Sequence, residues 1–326
     1  MRKAPLVSFV VPCYNYGRFL PDCLASIFAQ EDKHDFEVIA INDGSTDDTQ
    51  EVLHSFADSR MHIISHSKNL GHVSTVNEGL GRARGEFVAR IDPDDRYRSY
   101  FLSATLEKFR ALPDVGLVYG DAAIIDEQGQ RNAESSDRVH GGKDFQGNEF
   151  LRLLEANCIC APTAIARREA WHRALPIPDE LAFNDWYFNL MMAREYDFCY
   201  IQCVLAEYRV HLANHHSKIV LDKTEEASIF RLLDCIFAER EKQSHLEEAK
   251  RQVKGRAYAA QYLTLANKYF GAQMNADAQR CYRKAIQNRP AYLLRADVQR
   301  RLAATLIGRH RYEFGKALIK SALMRG

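Results

Sequence analysis

Two absences narrow what this chain can be. It has no apolar run near the roughly 18 residues that a membrane-crossing helix requires. Its opening stretch, MRKAPLVSFVV, is broken at Pro12 before it reaches the length of a secretory leader. Cysteine is present eight times, but never in C-x-x-C spacing. Cys158 and Cys160 stand too close to form a zinc knuckle alone, and no histidine pair follows at ligand spacing. The expectation is therefore reduced thiols in a cytoplasmic protein. Net charge is scarce too: 44 Lys/Arg against 43 Asp/Glu leave +1, and no nucleic-acid partner is expected.

What is there suits a soluble globular protein. The 326 residues, 46% hydrophobic and 27% charged, allow one large domain or one domain with an appendage. Short β-rich runs at 6–11, 36–42, 62–65, 86–91 and 116–120 alternate with helical patterns. Phe19, Leu20, Cys23, Leu24, Ile27 and Phe28 fall on one helical stripe, and Val52, Leu53 and Phe56 on another. This alternation predicts an α/β fold with a mostly parallel sheet covered by helices on both faces. Ligands of such sheets bind beyond the carboxyl ends of the strands. The polar clusters PCYN, DGSTDD and DPDD each follow a predicted strand.

The last cluster is the most unusual. Asp92, Asp94 and Asp95 close a short apolar run, and like charges so near one another repel. Hard divalent cations such as Mn²⁺ or Mg²⁺ bind through one or two carboxylates plus substrate phosphates, and they would supply the missing positive partner. A turn with solvated acids would read the same way in isolation.

Taken in order, VSFVVPCYN, VIAINDGSTDDT, NLGHVSTVNEGLGRARGEFVARIDPDD and FNDWYFNLMMAREYDFCYIQCVLAEYRVH resemble the family 2 glycosyltransferases over roughly residues 5–217. The resemblance implies a GT-A fold, a nucleotide-sugar donor and inverting sugar transfer. It implies that Pro12, Tyr14 and Asn15 line the nucleoside pocket, with Asn69, Asn77 and Asp92 contributing, and that Asp43 bonds the base. Asp94 would ligate the metal that bridges the diphosphate, with Asp92 and His211 as further candidate ligands and Arg209 as a phosphate contact. The family's acidic pair, usually Glu-Asp, reads Asn184-Asp185 here, so Asp185 inherits the role of base. Asn184 and Trp186 become candidates for the acceptor site, although Trp186 would serve equally as core. The expected donor is UDP-linked, and the expected acceptor is a glycan or lipid-linked sugar of surface polysaccharide assembly.

Departures from the pattern keep two alternatives open: an inactive scaffold of the same fold, and a nucleotidyltransferase. Besides Asn184, Val76 replaces the family's frequent arginine ahead of Asn77, and Ser99 replaces a common proline. The catalytic domain is expected over residues 1–220, with a helical extension over 221–326. Within the extension, Tyr262, Leu265, Ala266, Tyr269, Ala278, Tyr282, Ala285 and Pro290 fit one tetratricopeptide-like helix pair at about 259–292. Such a pair either completes the fold or docks a protein partner. From Arg280 to Gly326, 12 Lys/Arg face 2 Asp/Glu. That tail reads as a solvated helical face, or as peripheral contact with an anionic membrane.

Overall fold

The computed structural model describes residues 4–31, 35–56, 58–135, 140–183, 185–211, 219–307, 311–312 and 314. The chain divides into two compact units, one of residues 1–153 and 158–212, the other of 154–157 and 213–326.

The first unit begins with four strands, β1 (Val7–Cys13), β2 (Phe36–Asn42), β3 (Met61–Ser65) and β4 (Phe87–Arg90). They lie in the order β3-β2-β1-β4, all parallel. Every residue of β1 and β2 is buried, as their nearly continuous apolar runs favour, with the polar Ser8 and Glu37 bonded to each other at 2.7 Å. Helices α1 (Leu20–Phe28), α2 (Thr49–Ser55) and α3 (His72–Arg82) make the crossovers. α1 starts with proline in its first turn and buries Leu20, Cys23, Leu24 and Ile27, spaced as one helical face. The ring of Phe9 sits within 5.5 Å of both Phe36 and Tyr97, which anchors β1 in the core.

The remainder of the unit comprises β5 (Arg96–Tyr97), α4 (Phe101–Ala111), β6 (Val115–Ile125), β7 (Arg131–Ser135), β8 (Phe145–Gly147), the start of α5 (Phe150–Glu155), β9 (Ile165–Arg167), α6 (Arg168–Ala174), α7 (Asp185–Ala193) and β10 (Asp197–Arg209). The sheet continues β4-β9-β6-β10-β5, with β7 on β6 and β8 on β10. The α/β sheet flanked by helices is present, but parallel pairing dominates only its first half. There, β6–β10 is the one parallel pair to add; β9, β5, β7 and β8 all pair antiparallel. Of these antiparallel pairs β6–β7 is a hairpin, in which the chain doubles straight back, whereas the others join strands distant in sequence.

The second unit holds α8 (Thr224–Ala238), α9 (Ser244–Gly271), α10 (Asn275–Asn288), a 3-10 turn (Pro290–Leu294) and α11 (Ala296–Ile307). α9 and α10 form a hairpin through Gln273, whose φ is 62°. Leu265, Ala266 and Tyr269 of one helix and Ala278, Tyr282 and Ala285 of the other are fully buried. Lys250 is buried as well, with Nζ 2.8 Å from Glu241 Oε1 and donating to the Ile236 carbonyl. No helix among the described residues is long and apolar enough to cross a membrane.

Candidate active site

Three loops meet beyond the carboxyl ends of β1, β2 and β4. The first turns at Asn15, which adopts φ 58°, a left-handed geometry that asparagine tolerates better than most residues. Backbone and side chains then zip it to the second loop. Asn15 N–H donates to Ser45 Oγ at 3.0 Å, Thr46 N–H to Asn15 Oδ1 at 2.8 Å, and Gly17 N–H to Asp47 Oδ2 at 3.0 Å. Gly17 is required by closeness: a Cβ there would overlap the Asp48 carboxylate and lie 2.9 Å from Thr49 N. The outcome is a rigid double loop that leaves Tyr14 43% exposed at its tip. Pro12, expected beside Tyr14, is instead buried within β1.

Asp43 follows β2 and is buried. Its Oδ1 accepts Leu70 N–H and bonds His66 Nδ1, while Oδ2 accepts Gly71 N–H at 2.9 Å. Three of roughly four acceptor positions are thus taken by its own surroundings, and a base contact has only one left. His66 also bonds Glu78 through Nε2 at 2.7 Å. Burial would lower its pKa, but the bonds to Asp43 and Glu78 outweigh this and raise it. Asn69 is exposed on the same loop. Asn77 departs from its expected nucleotide role. Its amide donates to the Ile177 carbonyl and accepts the Ile177 N–H, both at 2.9 Å, so both ends are used to clamp a neighbouring loop.

The third loop carries the acids. Asp92 is held by Arg90, whose NH1 and NH2 donate to Oδ1 at 2.7 Å and Oδ2 at 3.1 Å. That fork engages both oxygens expected to reach a metal. Asp94 Oδ2 instead lies 3.1 Å from His211 Nε2, and the imidazole is boxed by the rings of Phe19 and Tyr16 at 4.8 and 6.2 Å. Burial and the Asp92 charge push the Asp94 carboxyl up to about 6, against the pull of His211. Burial and the charges of Asp94 and Asp92 raise Asp95 well above the usual carboxylate range. Asp95 Oδ2 is buried with no hydrogen-bond partner among the described residues. No ready cage of three or more ligating side chains exists among those residues. The two donors on one side and an acidic excess fit a hard divalent cation that completes its shell with phosphate and water oxygens.

Arg209 was expected at a phosphate and is found in the core, 1% exposed. Its Nε donates to the Asp94 carbonyl at 2.7 Å, NH1 to the Asp126 and Glu127 carbonyls, and NH2 to Asp22 Oδ2 at 3.2 Å. Its backbone N–H donates to Asp95 Oδ1 at 2.9 Å. The guanidinium therefore braces the acidic loop from behind. Trp186 is likewise core: the indole is buried and its N–H donates to the Leu153 carbonyl at 2.6 Å, so it offers no face to a sugar. Asn184 lies outside the described residues.

Asp185 opens α7, far from DPDD in sequence yet in its electrostatic neighbourhood. Burial would lower the pKa of Arg90, but the charges of Asp92 and Asp185 together hold it up. Cys160 is raised by burial and then by Asp95, Asp185 and Asp92. Arg90, His66, Tyr16 and Phe19 are site residues that motif order did not single out. Arg90 had a signal, being a cation inside the apolar run FVARI; the others acquire their roles only through contacts.

The profile described as "Glycosyl transferase family 2" matches residues 8–175, more than half of the chain. The chain belongs to this family. An uncharacterized glycosyltransferase of Nostoc sp. is 27% identical over 237 residues, covering 68% of this chain and 69% of the relative. A putative teichuronic acid biosynthesis glycosyltransferase of Bacillus subtilis is 35% identical over 105 residues, 32% of this chain and 41% of its own. Among solved structures, S. aureus TarS 1-349 in complex with UDP-GlcNAc superposes with TM-score 0.61 at 17% identity, over 86% of this chain and 81% of that fragment. The mannosyltransferase PcManGT of Pyrobaculum calidifontis, in complex with GDP-Man and Mn²⁺, gives TM-score 0.60 at 17% identity, over 94% and 87%. Neither the scaffold nor the nucleotidyltransferase alternative is favoured by these family 2 likenesses.

Proposed function

We propose that this family 2 enzyme is an inverting glycosyltransferase that uses a nucleotide-sugar donor, UDP-linked by preference, and a glycan or lipid-linked acceptor of surface polysaccharide assembly. The observation that carries the proposal is the acidic loop beyond the sheet's carboxyl edge, where Asp94 bonds His211 and Asp92 bonds the buried Arg90, whose guanidinium also feels the charge of Asp185. Tyr14 offers an open ring to the nucleoside, and Asp43 the last acceptor position of its carboxylate. Asp94 and His211 would hold Mn²⁺ or Mg²⁺, which when bound offsets the charge growing on the leaving diphosphate.

Asp185 then serves as the base. Its carboxylate takes the proton of the acceptor hydroxyl as that oxygen attacks the anomeric carbon. The bond from that carbon to the diphosphate breaks, its electron pair leaving with phosphate, and attack from the opposite face inverts the centre. One carboxylate suffices, because no sugar is ever bonded to the enzyme. Arg209 and Arg90 act by holding the acids in place.

A thermal-shift panel of UDP, GDP, dTDP and CMP, each with and without Mn²⁺, tests the site. A ligand at 100 times its Kd adds about 2.7 kcal/mol. One diphosphate should stabilise the protein only with metal, and Asp94→Ala should abolish the effect. Absence of any stabilisation, or stabilisation that survives Asp94→Ala, would remove the proposed donor site.

A further inference from the structure

The 3-10 turn between α10 and α11 presents two adjacent leucines to solvent, Leu293 at 51% and Leu294 at 87% exposure. Single exposed leucines are ordinary on protein surfaces. This pair is held outward by construction. The preceding Tyr292 is buried, and the guanidinium groups of Arg289 and Arg295 lie over its ring at 5.2 and 5.4 Å. The turn is therefore pinned from inside by an aromatic ring, bordered by two cations, and tipped with aliphatic carbon. Arg295 keeps an ion pair with Asp297 at 2.7 Å. Within the same unit Leu306, Ile307 and Phe314 are also exposed. The stretch from Arg280 to Gly326 that contains all of these carries 12 Lys/Arg against 2 Asp/Glu.

We propose that this turn is a membrane-docking wedge, with Leu293 and Leu294 entering the acyl boundary of an anionic lipid surface while the surrounding arginines meet its headgroups. Charge complementarity selects the occupant. A segment so basic is attracted to an anionic surface, and the attraction falls off within a Debye length. Apolar insertion and electrostatic attraction reinforce each other, as they do for interfacial helices that lie on membranes without crossing them. The proposal depends neither on the donor nor on turnover.

Co-sedimentation of the full chain tests it, using neutral phosphatidylcholine vesicles and vesicles that also contain phosphatidylglycerol, at low and high salt. Wild type should bind only the anionic vesicles and be released by high salt. The double variant Leu293→Gln/Leu294→Gln should lose about tenfold or more of that binding, with its thermal midpoint little changed because Leu294 is largely and Leu293 half in water. Arg289→Gln/Arg295→Gln should weaken binding and flatten its salt dependence. Wild type that stays in the supernatant at low salt would overturn the proposal. So would a leucine variant that sediments like wild type. Equal retention of wild type and leucine variant on immobilised polyglutamate, without vesicle binding, would assign the surface to an acidic protein instead.

Discussion

At Arg209 a cation that motif order offers to phosphate turns inward and holds the acidic loop by its backbone. Lysine cannot reproduce that fork of donors, and methionine would leave the carbonyls of Asp94, Asp126 and Glu127 without it. Arg209→Met should therefore cost about 3 kcal/mol in a urea titration, with Arg209→Lys between it and wild type. Asp185→Asn should behave oppositely, abolishing turnover while nucleotide binding and stability persist; retained turnover would remove Asp185 as base. His66 sets a pH dependence. Its pKa is raised above the ordinary 6.5 by Asp43 and Glu78. Its contribution is complete below that unfolded value and is lost as pH rises through the higher folded one. Unfolding midpoints measured across this range should fall with pH, and His66→Asn should flatten that fall.

At the scale of elements, the double loop after β1 and β2 shows how local sequence is converted into a site. Serine, threonine and aspartate of DGSTDDT look like helix caps, and α2 does begin at Thr49. Yet Ser45 Oγ and Asp47 Oδ2 accept from Asn15 and Gly17 of the other loop, and only Asp47 Oδ1 serves the helix start at Thr49. Gly17→Ala would displace Asp48 and press on the Thr49 backbone. A cost of about 1–3 kcal/mol is expected from that overpacking, together with weaker nucleoside binding, because Tyr14 would no longer be held at the tip. Calorimetric titration with the nucleoside diphosphate identified above checks the second part.

For the whole molecule, the proposed metal site rests on two side chains, Asp94 and His211, with no closed cage among the described residues. Metal removal should then leave the donor-free protein untouched. A chelator is expected not to change the thermal midpoint of the apo protein, while removing the extra stabilisation given by nucleoside diphosphate. A chelator-induced fall in the donor-free midpoint would point to a structural metal instead.

The sequence by itself determined the strands of the parallel half, the α/β class and the family, because buried strands are written as nearly continuous apolar runs and the motif order is specific; β5 and β7–β10 were not legible in it. It also placed Asp92 and Asp94 among the candidates, since loops after strands carry their chemistry locally, while Asp185 and His211 entered through the family resemblance. Only tertiary structure decided which candidates face outward. Arg209 and Trp186 went to the core because the Asp94 and Leu153 carbonyls, distant in sequence, needed donors. Asn77 went to the Ile177 backbone, and Arg90 took Asp92. A polar side chain reads the same in sequence whether it serves a ligand or a neighbouring loop; the fold settles the matter by where the unsatisfied partners lie.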